Sequence, residues 1–312
     1  MLCKRLVLGL ASLCLVLAIL AGCSGGPAAA KGPITVGSKI DTEGALLSQM
    51  IIQMLRANGF TVTDKSQFGQ TPIVRAAIIS GELDIYPEYT GNGAFFFNEA
   101  DLPLWNNAQQ GYEEVKRLDK EKNNIVWLTP APANNTWAIA VTKTLADKEN
   151  LKSLDDFAAY VNRGGTVKLI GSEEFITSPA ALPAFEKAYG FTLTQAQLVS
   201  VSSGDTSQTE KAASLGTNGV NACMAYGTDG GLSAFGLVVL TDPRGAQPVY
   251  EPAPIIRGAV YDKYPEIGTI LAPVLQGLDL VTLQTLNARI AVNGEPAADV
   301  ALSYLTEKKL LK

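Results

Sequence analysis

Strand-like and helix-like patterns alternate along this chain, and two proline-rich segments interrupt the alternation at residues 129–135 and 242–254. Such alternation predicts mostly parallel sheets with helices on both faces. A chain of 312 residues also exceeds what one hydrophobic core usually fills. We therefore predict two doubly wound α/β lobes joined by two crossing segments. The first lobe is expected to comprise residues 34–133 and 249–312, and the second lobe residues 134–248.

The N-terminus has the pattern of a secretory leader. A positive start and an apolar run over residues 6–20 precede the triplet Leu-Ala-Gly and Cys23. This pattern is typical of an exported protein, and its end resembles the bacterial lipobox, in which the cysteine is acylated. The alternative is an uncleaved membrane anchor, because the apolar run approaches the length of a short spanning helix. We predict a lipoprotein signal peptide over residues 1–22, a flexible tether over residues 23–33, and an extracytoplasmic or periplasmic protein anchored by lipid at Cys23.

The cysteines and the net charge indicate how the fold is stabilised and which partners it excludes. Cleavage before Cys23 would remove Cys3 and Cys14 and leave Cys223 without a disulfide partner once Cys23 is lipidated. A large core must then hold the fold without a disulfide framework. Cys223 lies in an apolar stretch and is predicted to be a small core residue. The net charge of −5, with no basic run, argues against a nucleic-acid partner.

Several kinds of catalytic site lack the residues that they need. The chain contains no histidine, which removes Ser-His-Asp and Cys-His nucleophiles and most zinc sites. No phosphate-binding loop or dinucleotide-binding fingerprint is present. Paired acids at 155–156 and 173–174 fall at predicted helix starts, where the helix dipole favours them. We therefore predict a binding protein with no catalytic residue, no metal and no cofactor.

Four aromatic residues stand at strand ends or at the proline-rich crossings: Tyr89, Trp137, Tyr226 and Tyr250. Because Pro87 cannot donate a sheet hydrogen bond, we expect Tyr89 on a loop beyond its strand rather than in the strand ladder. Ligands of open α/β sheets bind outside the carboxyl ends of the strands. Each aromatic alone is explained by packing, but the four together indicate an aromatic cage.

Six stretches, in this order, are similar to one known family: VGSKIDTEG at 36–44, YPEYTGNGAFFF at 86–97, WLTPAPANNTWAIAV at 127–141, ALPAFEKAYGF at 181–191, MAYGTDG at 224–230 and YEPAPIIR at 250–257. The chain resembles the periplasmic substrate-binding proteins of quaternary-amine (glycine betaine/choline) ABC transporters, and among them the osmoprotectant branch of OsmF/YehZ type in the OpuAC-like family. The resemblance covers essentially the whole mature chain. It implies a type II-like periplasmic binding protein, expected to be a monomer, that delivers its ligand to an ABC transporter permease.

The resemblance also assigns residues to the ligand. In that family the trimethylammonium group lies in an aromatic box, and the matching positions are Tyr89, Trp137, Tyr226 and Tyr250. A quaternary ammonium has no N–H to donate, so π faces are its best partners, each contributing roughly 0.5–2 kcal/mol.

The other end of the ligand is less clearly matched. Lys39, Asn92 and Asn135 are expected to contact the ligand, and Lys39 matches a lysine that holds the carboxylate of betaine. The arginine that assists this lysine aligns with Ser178, and losing a charge-assisted contact lowers binding by about 1.5–3 kcal/mol. Betaine is therefore expected to bind more weakly than in relatives that keep the arginine, and choline, which has no carboxylate, to be affected less.

Two other functions fit the same reading of the sequence. One is a receptor lipoprotein with this fold that reports a solute to a signalling protein. The other is an enzyme that acts on a small cationic substrate. An adjacent permease or ATPase gene would favour transport, and turnover of choline or betaine would favour the enzyme.

Overall fold

The structure is a computed structural model that describes residues 31–202 and 206–311. The predicted signal peptide over residues 1–22, the lipidation site Cys23 and nearly all of the predicted tether lie outside these residues. Up to the first crossing the chain forms β1 (Lys31–Lys39), α1 (Thr42–Ala57), β2 (Phe60–Gly69), α2 (Thr71–Ser80), β3 (Ile85–Tyr89), α3 (Gly93–Phe96), α4 (Ala108–Asn123) and β4 (Ile125–Trp127).

The alternation continues after the crossing. Between the two crossings lie β5 (Trp137–Thr142), α5 (Lys143–Glu149), α6 (Leu154–Asn162), β6 (Leu169–Ser172), α7 (Glu173–Thr177), α8 (Leu182–Tyr189), β7 (Leu198–Val201), α9 (Thr206–Ser214), β8 (Ala222–Tyr226), α10 (Gly231–Ala234) and β9 (Leu237–Val239). After the second crossing follow β10 (Pro252–Arg257), α11 (Gly258–Lys263), α12 (Glu266–Gln276), α13 (Leu280–Ala291) and α14 (Ala297–Glu307).

The described strands form two five-stranded sheets, in the orders β2-β1-β3-β10-β4 and β7-β6-β8-β5-β9. We call the parts of the molecule built on these sheets the first lobe and the second lobe. Both sheets are mixed, but β1, β3 and β4 run in one direction in the first sheet, as do β6, β7, β8 and β9 in the second, so the prediction of mostly parallel sheets is confirmed apart from the opposing strands β10 and β5. Strand β10 runs antiparallel to β3 and β4, and β5 runs antiparallel to β8 and β9. Each of these strands is the first after a crossing, and it enters its sheet from the end at which its neighbours finish.

Tyr89 is the last residue of β3 and lies in the strand ladder, opposite Pro252 of β10. The expectation that Pro87 would place Tyr89 on a loop was therefore wrong. Pro87 lies opposite Pro254, whose carbonyl accepts a hydrogen bond from the Leu128 N–H on the other side of β10. This pair needs no N–H donor between β3 and β10, so two facing prolines do not interrupt the sheet.

The first turn of α1 lies against the end of β3. Asp41 caps the helix by accepting a 2.6 Å hydrogen bond from the Gly44 N–H. The buried side chains of α1 recur at helical spacing and include Leu47, Met50 and Ile51. The buried face also carries Glu43, only 5% exposed in the first turn, where the helix dipole favours an acid.

Helices from the C-terminal segment pack into the first lobe. Leu271 of α12, Leu286 of α13 and Leu305 of α14 share one buried cluster with α1 and β1. Cys223 is buried in the second lobe and forms no disulfide, which confirms its prediction as a core residue. No single helix among the described residues has the length and apolar character to cross a membrane. By length and composition alone, α12 and α13 reach that threshold only when taken together across an 88° bend.

Candidate functional site

The two crossing segments lie side by side between the lobes. The Asn135 N–H donates to the Tyr250 carbonyl at 2.9 Å, and the Tyr250 N–H donates to Asn134 Oδ1 at 2.8 Å. The Thr136 hydroxyl donates to the Pro248 carbonyl at 3.1 Å. These bonds fix Tyr250 and Asn135 next to each other and place Trp137, two residues later, at the mouth of the second lobe.

Trp137 and Tyr226 form one wall of the site. They face each other across the β5–β8 pair, and their rings are stacked with centroids 6.3 Å apart and an interplanar angle of 21°. Phe175 packs edge-on against Trp137. Both wall residues are only partly buried, which leaves aromatic surface at the end of the sheet that faces the first lobe.

Tyr89 and Tyr250 lie near each other, where the end of β3 meets the second crossing. Tyr89 is 6% exposed and its hydroxyl donates to Glu43 Oε1 at 2.9 Å. The next residue, Thr90, binds the second crossing through its N–H and hydroxyl, which donate to the carbonyls of Glu251 and Val249. The Tyr250 ring packs on Gly91 so closely that a β-carbon there would lie 2.8 Å from the ring.

Burial and the same nearby acids affect the tyrosines of both lobes. Burial raises the pKa of the Tyr89, Tyr226 and Tyr250 hydroxyls. The negative charge of Asp41 adds to this shift at Tyr89 and at Tyr226, which belong to different lobes. The charge of Glu174 adds to it at Tyr226 and Tyr250. These shared acidic neighbours indicate that Tyr89, Tyr226 and Tyr250 lie near one another, and Trp137 stacks on Tyr226. We call the four residues the aromatic cage, and their role in binding stays a prediction.

Lys39 and Asn92 both bind a residue that the sequence analysis did not identify, Glu88. Lys39 Nζ donates to Glu88 Oε1 at 2.6 Å, and Asn92 Nδ2 donates to the same oxygen at 2.7 Å. The Tyr89 N–H and the Tyr86 hydroxyl complete the set of donors to this fully buried carboxylate. Lys39 Nζ also lies 4.6 Å from the centroid of the Tyr89 ring and covers one face of it. The positive charge of Lys39, which was expected to bind a ligand carboxylate, is thus already paired with Glu88.

Glu43 is a second acidic residue that the sequence analysis missed. Its carboxylate accepts from the Tyr89 hydroxyl, from Asn135 Nδ2 at 3.2 Å and from Asn287 Nδ2 at 2.7 Å. Burial raises the pKa of the Glu43 carboxyl from 4.5 to about 7, against the opposing effect of the hydrogen bonds that it accepts.

Ser178 lies just after α7 and makes local bonds only in this structure. Its N–H donates to the Glu174 carbonyl, and its hydroxyl accepts from the Ala180 N–H at 3.4 Å. The described residues include seven arginines. Arg56 lies at the far end of α1, and the rest are paired with acids: Arg75 with Asp119, Arg117 with Glu114 and Glu121, Arg163 with Glu149, Arg244 with Asp155, Arg257 with Asp84, and Arg289 with Glu295. Among the described residues there is no cluster of acidic or thiol side chains that could bind a metal ion.

Comparisons with a family model and with individual proteins agree on one family. The family model described as the substrate binding domain of an ABC-type glycine betaine transport system matches residues 32–307. The chain is 58% identical to the glycine betaine-binding protein YehZ of Escherichia coli K12, over 90% of this chain and 92% of that protein. It is 33% identical to a glycine-betaine-binding protein of Pseudomonas aeruginosa, over 89% of this chain and 88% of that protein.

A solved structure extends the similarity to the fold. The structure of apo YehZ from Escherichia coli matches 90% of this chain and all of that chain, with 57% identity and a TM-score of 0.77. This match confirms the predicted α/β fold of two lobes, of the type II-like periplasmic binding class.

Proposed function

Because the chain belongs to the family of substrate-binding domains of ABC-type glycine betaine transport systems, we propose that it captures a quaternary ammonium solute, of the glycine betaine or choline class, between its lobes. The ligand is then delivered to an ABC transporter permease. Relatives of this chain are substrate-binding transport proteins, so the proposal assigns no catalytic residue.

The observation that carries this proposal is the convergence of the four cage residues from four separate segments of the chain. Tyr89 ends β3, Trp137 begins β5, Tyr226 ends β8, and Tyr250 lies in the second crossing. A methylated nitrogen cannot donate a hydrogen bond, so aromatic faces and nearby negative charge are the surroundings that favour it. Asp41 and Glu174 supply that charge at the cage hydroxyls.

The remaining predicted contacts concern the end of the ligand that carries no methyl groups. Asn135 lies between Glu43 and the Tyr250 backbone, close enough to the cage to reach a bound molecule. Lys39 and Asn92 can reach a ligand only by sharing or leaving Glu88, so their role as ligand contacts stays a prediction. Ser178 offers a hydroxyl where an arginine would offer two parallel donors. A ligand carboxylate would therefore meet little unpaired positive charge.

Family membership implies an extracytoplasmic location, and the sequence adds the mode of attachment. We propose that Cys23 carries the lipid and that residues 24–33 tether the protein to the membrane. We also propose that the lobes comprise residues 34–133 with 249–312 and residues 134–248, and that the protein acts as a monomer.

A titration of the wild type and of Trp137→Ala with choline and with glycine betaine tests the proposal. Removing one π face should weaken binding at least about tenfold and leave the melting temperature of the unliganded protein nearly unchanged. Tyr112→Ala is the matched control, because Tyr112 is a half-buried aromatic of α4 outside the cage, and it should bind like the wild type. Parallel losses of stability and affinity in Trp137→Ala would make Trp137 a packing residue instead.

A further inference from the structure

Helix α13 contributes to the core of the first lobe and also contacts the second lobe. Its Leu283 and Leu286 are buried in the first-lobe cluster. On another face, Gln284 Nε2 donates to the Gly227 carbonyl at 2.8 Å, and Asn287 Nδ2 donates to the Thr228 carbonyl at 2.9 Å. Both acceptors follow Tyr226 directly in the chain, so α13 binds the segment that comes immediately after this cage residue.

The Asn287 amide nitrogen also donates to Glu43 Oε2, at 2.7 Å. An amide nitrogen carries two hydrogens, so Asn287 can serve both lobes at once, with one hydrogen for Glu43 and one for Thr228. Glu43 in turn accepts from the Tyr89 hydroxyl. A continuous series of hydrogen bonds therefore runs from the cage wall Tyr89 to the segment that follows the cage wall Tyr226. We call Glu43, Asn287 and Thr228 the interlobe bridge.

Backbone packing beside the bridge is very close. Gly230 lies against the backbone of Asn287 and Ala288, and a β-carbon at Gly230 would overlap both residues. Any side chain at this position would push α13 away from the 226–231 segment. The bridge is also buried, since Glu43, Asn287 and Thr228 are 5%, 4% and 1% exposed.

We propose that Glu43 and Asn287 are positioning residues of the cation site, which fix the spacing between Tyr89 and Tyr226 by binding the second lobe to α13. This inference rests on the proposed function for its effect on the ligand. The crossing segments are the covalent connections between the lobes, whereas the bridge joins them only through hydrogen bonds. If the lobes separate, these bonds are lost. The bridge therefore stabilises the closed arrangement and slows the release of a ligand held between Tyr89 and Tyr226.

The test compares Asn287→Ala with Gly230→Ala in two measurements. The first is the dissociation rate of choline and of glycine betaine, followed by tryptophan fluorescence. The second is hydrogen exchange of residues 226–231 in the unliganded protein, which does not depend on any ligand. Two controls match these changes within the first lobe. Gln53→Ala removes an amide hydrogen bond to the Ala298 carbonyl, and Gly111→Ala adds a β-carbon whose nearest neighbour would be 3.4 Å away.

Both bridge variants should release the ligand at least about tenfold faster, because Asn287→Ala removes two hydrogen bonds of the bridge and Gly230→Ala pushes apart the two segments that these bonds join. They should also exchange faster than the wild type at residues 226–231, while the two controls change neither quantity. Unchanged exchange and unchanged release in both bridge variants would overturn the proposal. If the wild type binds neither ligand, the proposed function fails, and the exchange measurement alone decides whether the bridge holds the lobes.

Discussion

The ion pair between Lys39 and Glu88 offers the sharpest single perturbation. Its atoms are 2.6 Å apart, the Lys39 side chain is 10% exposed and the Glu88 side chain is 0% exposed. Replacing Lys39 by Met removes the only cation bound to this carboxylate among the described residues and leaves a buried negative charge. Breaking a buried pair in this way lowers the free energy of unfolding by about 3–5 kcal/mol, and the melting temperature of a chain of this size by roughly 5–8 °C.

The double variant Lys39→Met with Glu88→Gln should recover most of this loss, because an amide can accept from Asn92 and the Tyr89 N–H without a buried charge. Lys65→Met is the matched control. Its ion pair with Glu82 has a similar length of 3.0 Å but is solvent-exposed, so its removal should change the free energy of unfolding by at most about 1 kcal/mol.

Chemical denaturation of the four proteins, with ligand binding measured in parallel, separates two roles for Lys39. A large loss of stability in Lys39→Met, restored in the double variant, is the expected result. If Lys39→Met kept wild-type stability and lost only affinity for betaine, the pair would not be structural, and Lys39 would be a free ligand contact.

Three further predictions follow from the site and the leader. The raised pKa of Glu43 means that its contribution to stability is present in full below pH 4.5 and is lost as the pH rises through about 7. This shift corresponds to about 3 kcal/mol, so denaturation should show that Glu43→Gln gains stability relative to the wild type between pH 5 and pH 8; a constant difference would contradict the shift. Ser178→Arg should strengthen binding of glycine betaine and not of choline in calorimetric titrations, because a guanidinium offers a carboxylate two parallel donors; equal effects on both ligands would rule this out. Cys23→Ser should move the protein from the membrane fraction to the soluble extracytoplasmic fraction, and continued membrane retention with normal processing would count against the lipobox.

Much of the fold follows from local patterns in the sequence. The apolar spacing of α1 and the proline-rich crossings both correspond to features of the structure. The position of Tyr89 does not follow in this way, because the strand tolerates Pro87 only through its pairing with Pro254, which lies 167 residues away in the chain. The antiparallel direction of β10 is likewise a property of the second crossing and not of the strand itself.

The acidic residues of the site show the same limit. Glu43 has the sequence context of an ordinary acid in the first turn of a helix, and only Asn287, 244 positions away, reveals its interlobe role. Glu88 did leave a local signal, since it is a charge inside an otherwise apolar and aromatic strand. Such a charge needs a buried partner. Lys39, in the motif at residues 36–44, is the cation that pairs with it.

The most direct test of the account is a titration with choline and with its uncharged carbon isostere, 3,3-dimethyl-1-butanol. The two molecules have nearly the same shape, so their difference in affinity isolates the interaction of the cation with the aromatic cage and its acidic neighbours. We predict that choline binds saturably and that the isostere binds at least about tenfold more weakly, as cation–π contacts with several rings require. Equal affinity for the two molecules, or saturable binding that survives replacement of both Trp137 and Tyr226 by Ala, would contradict the account.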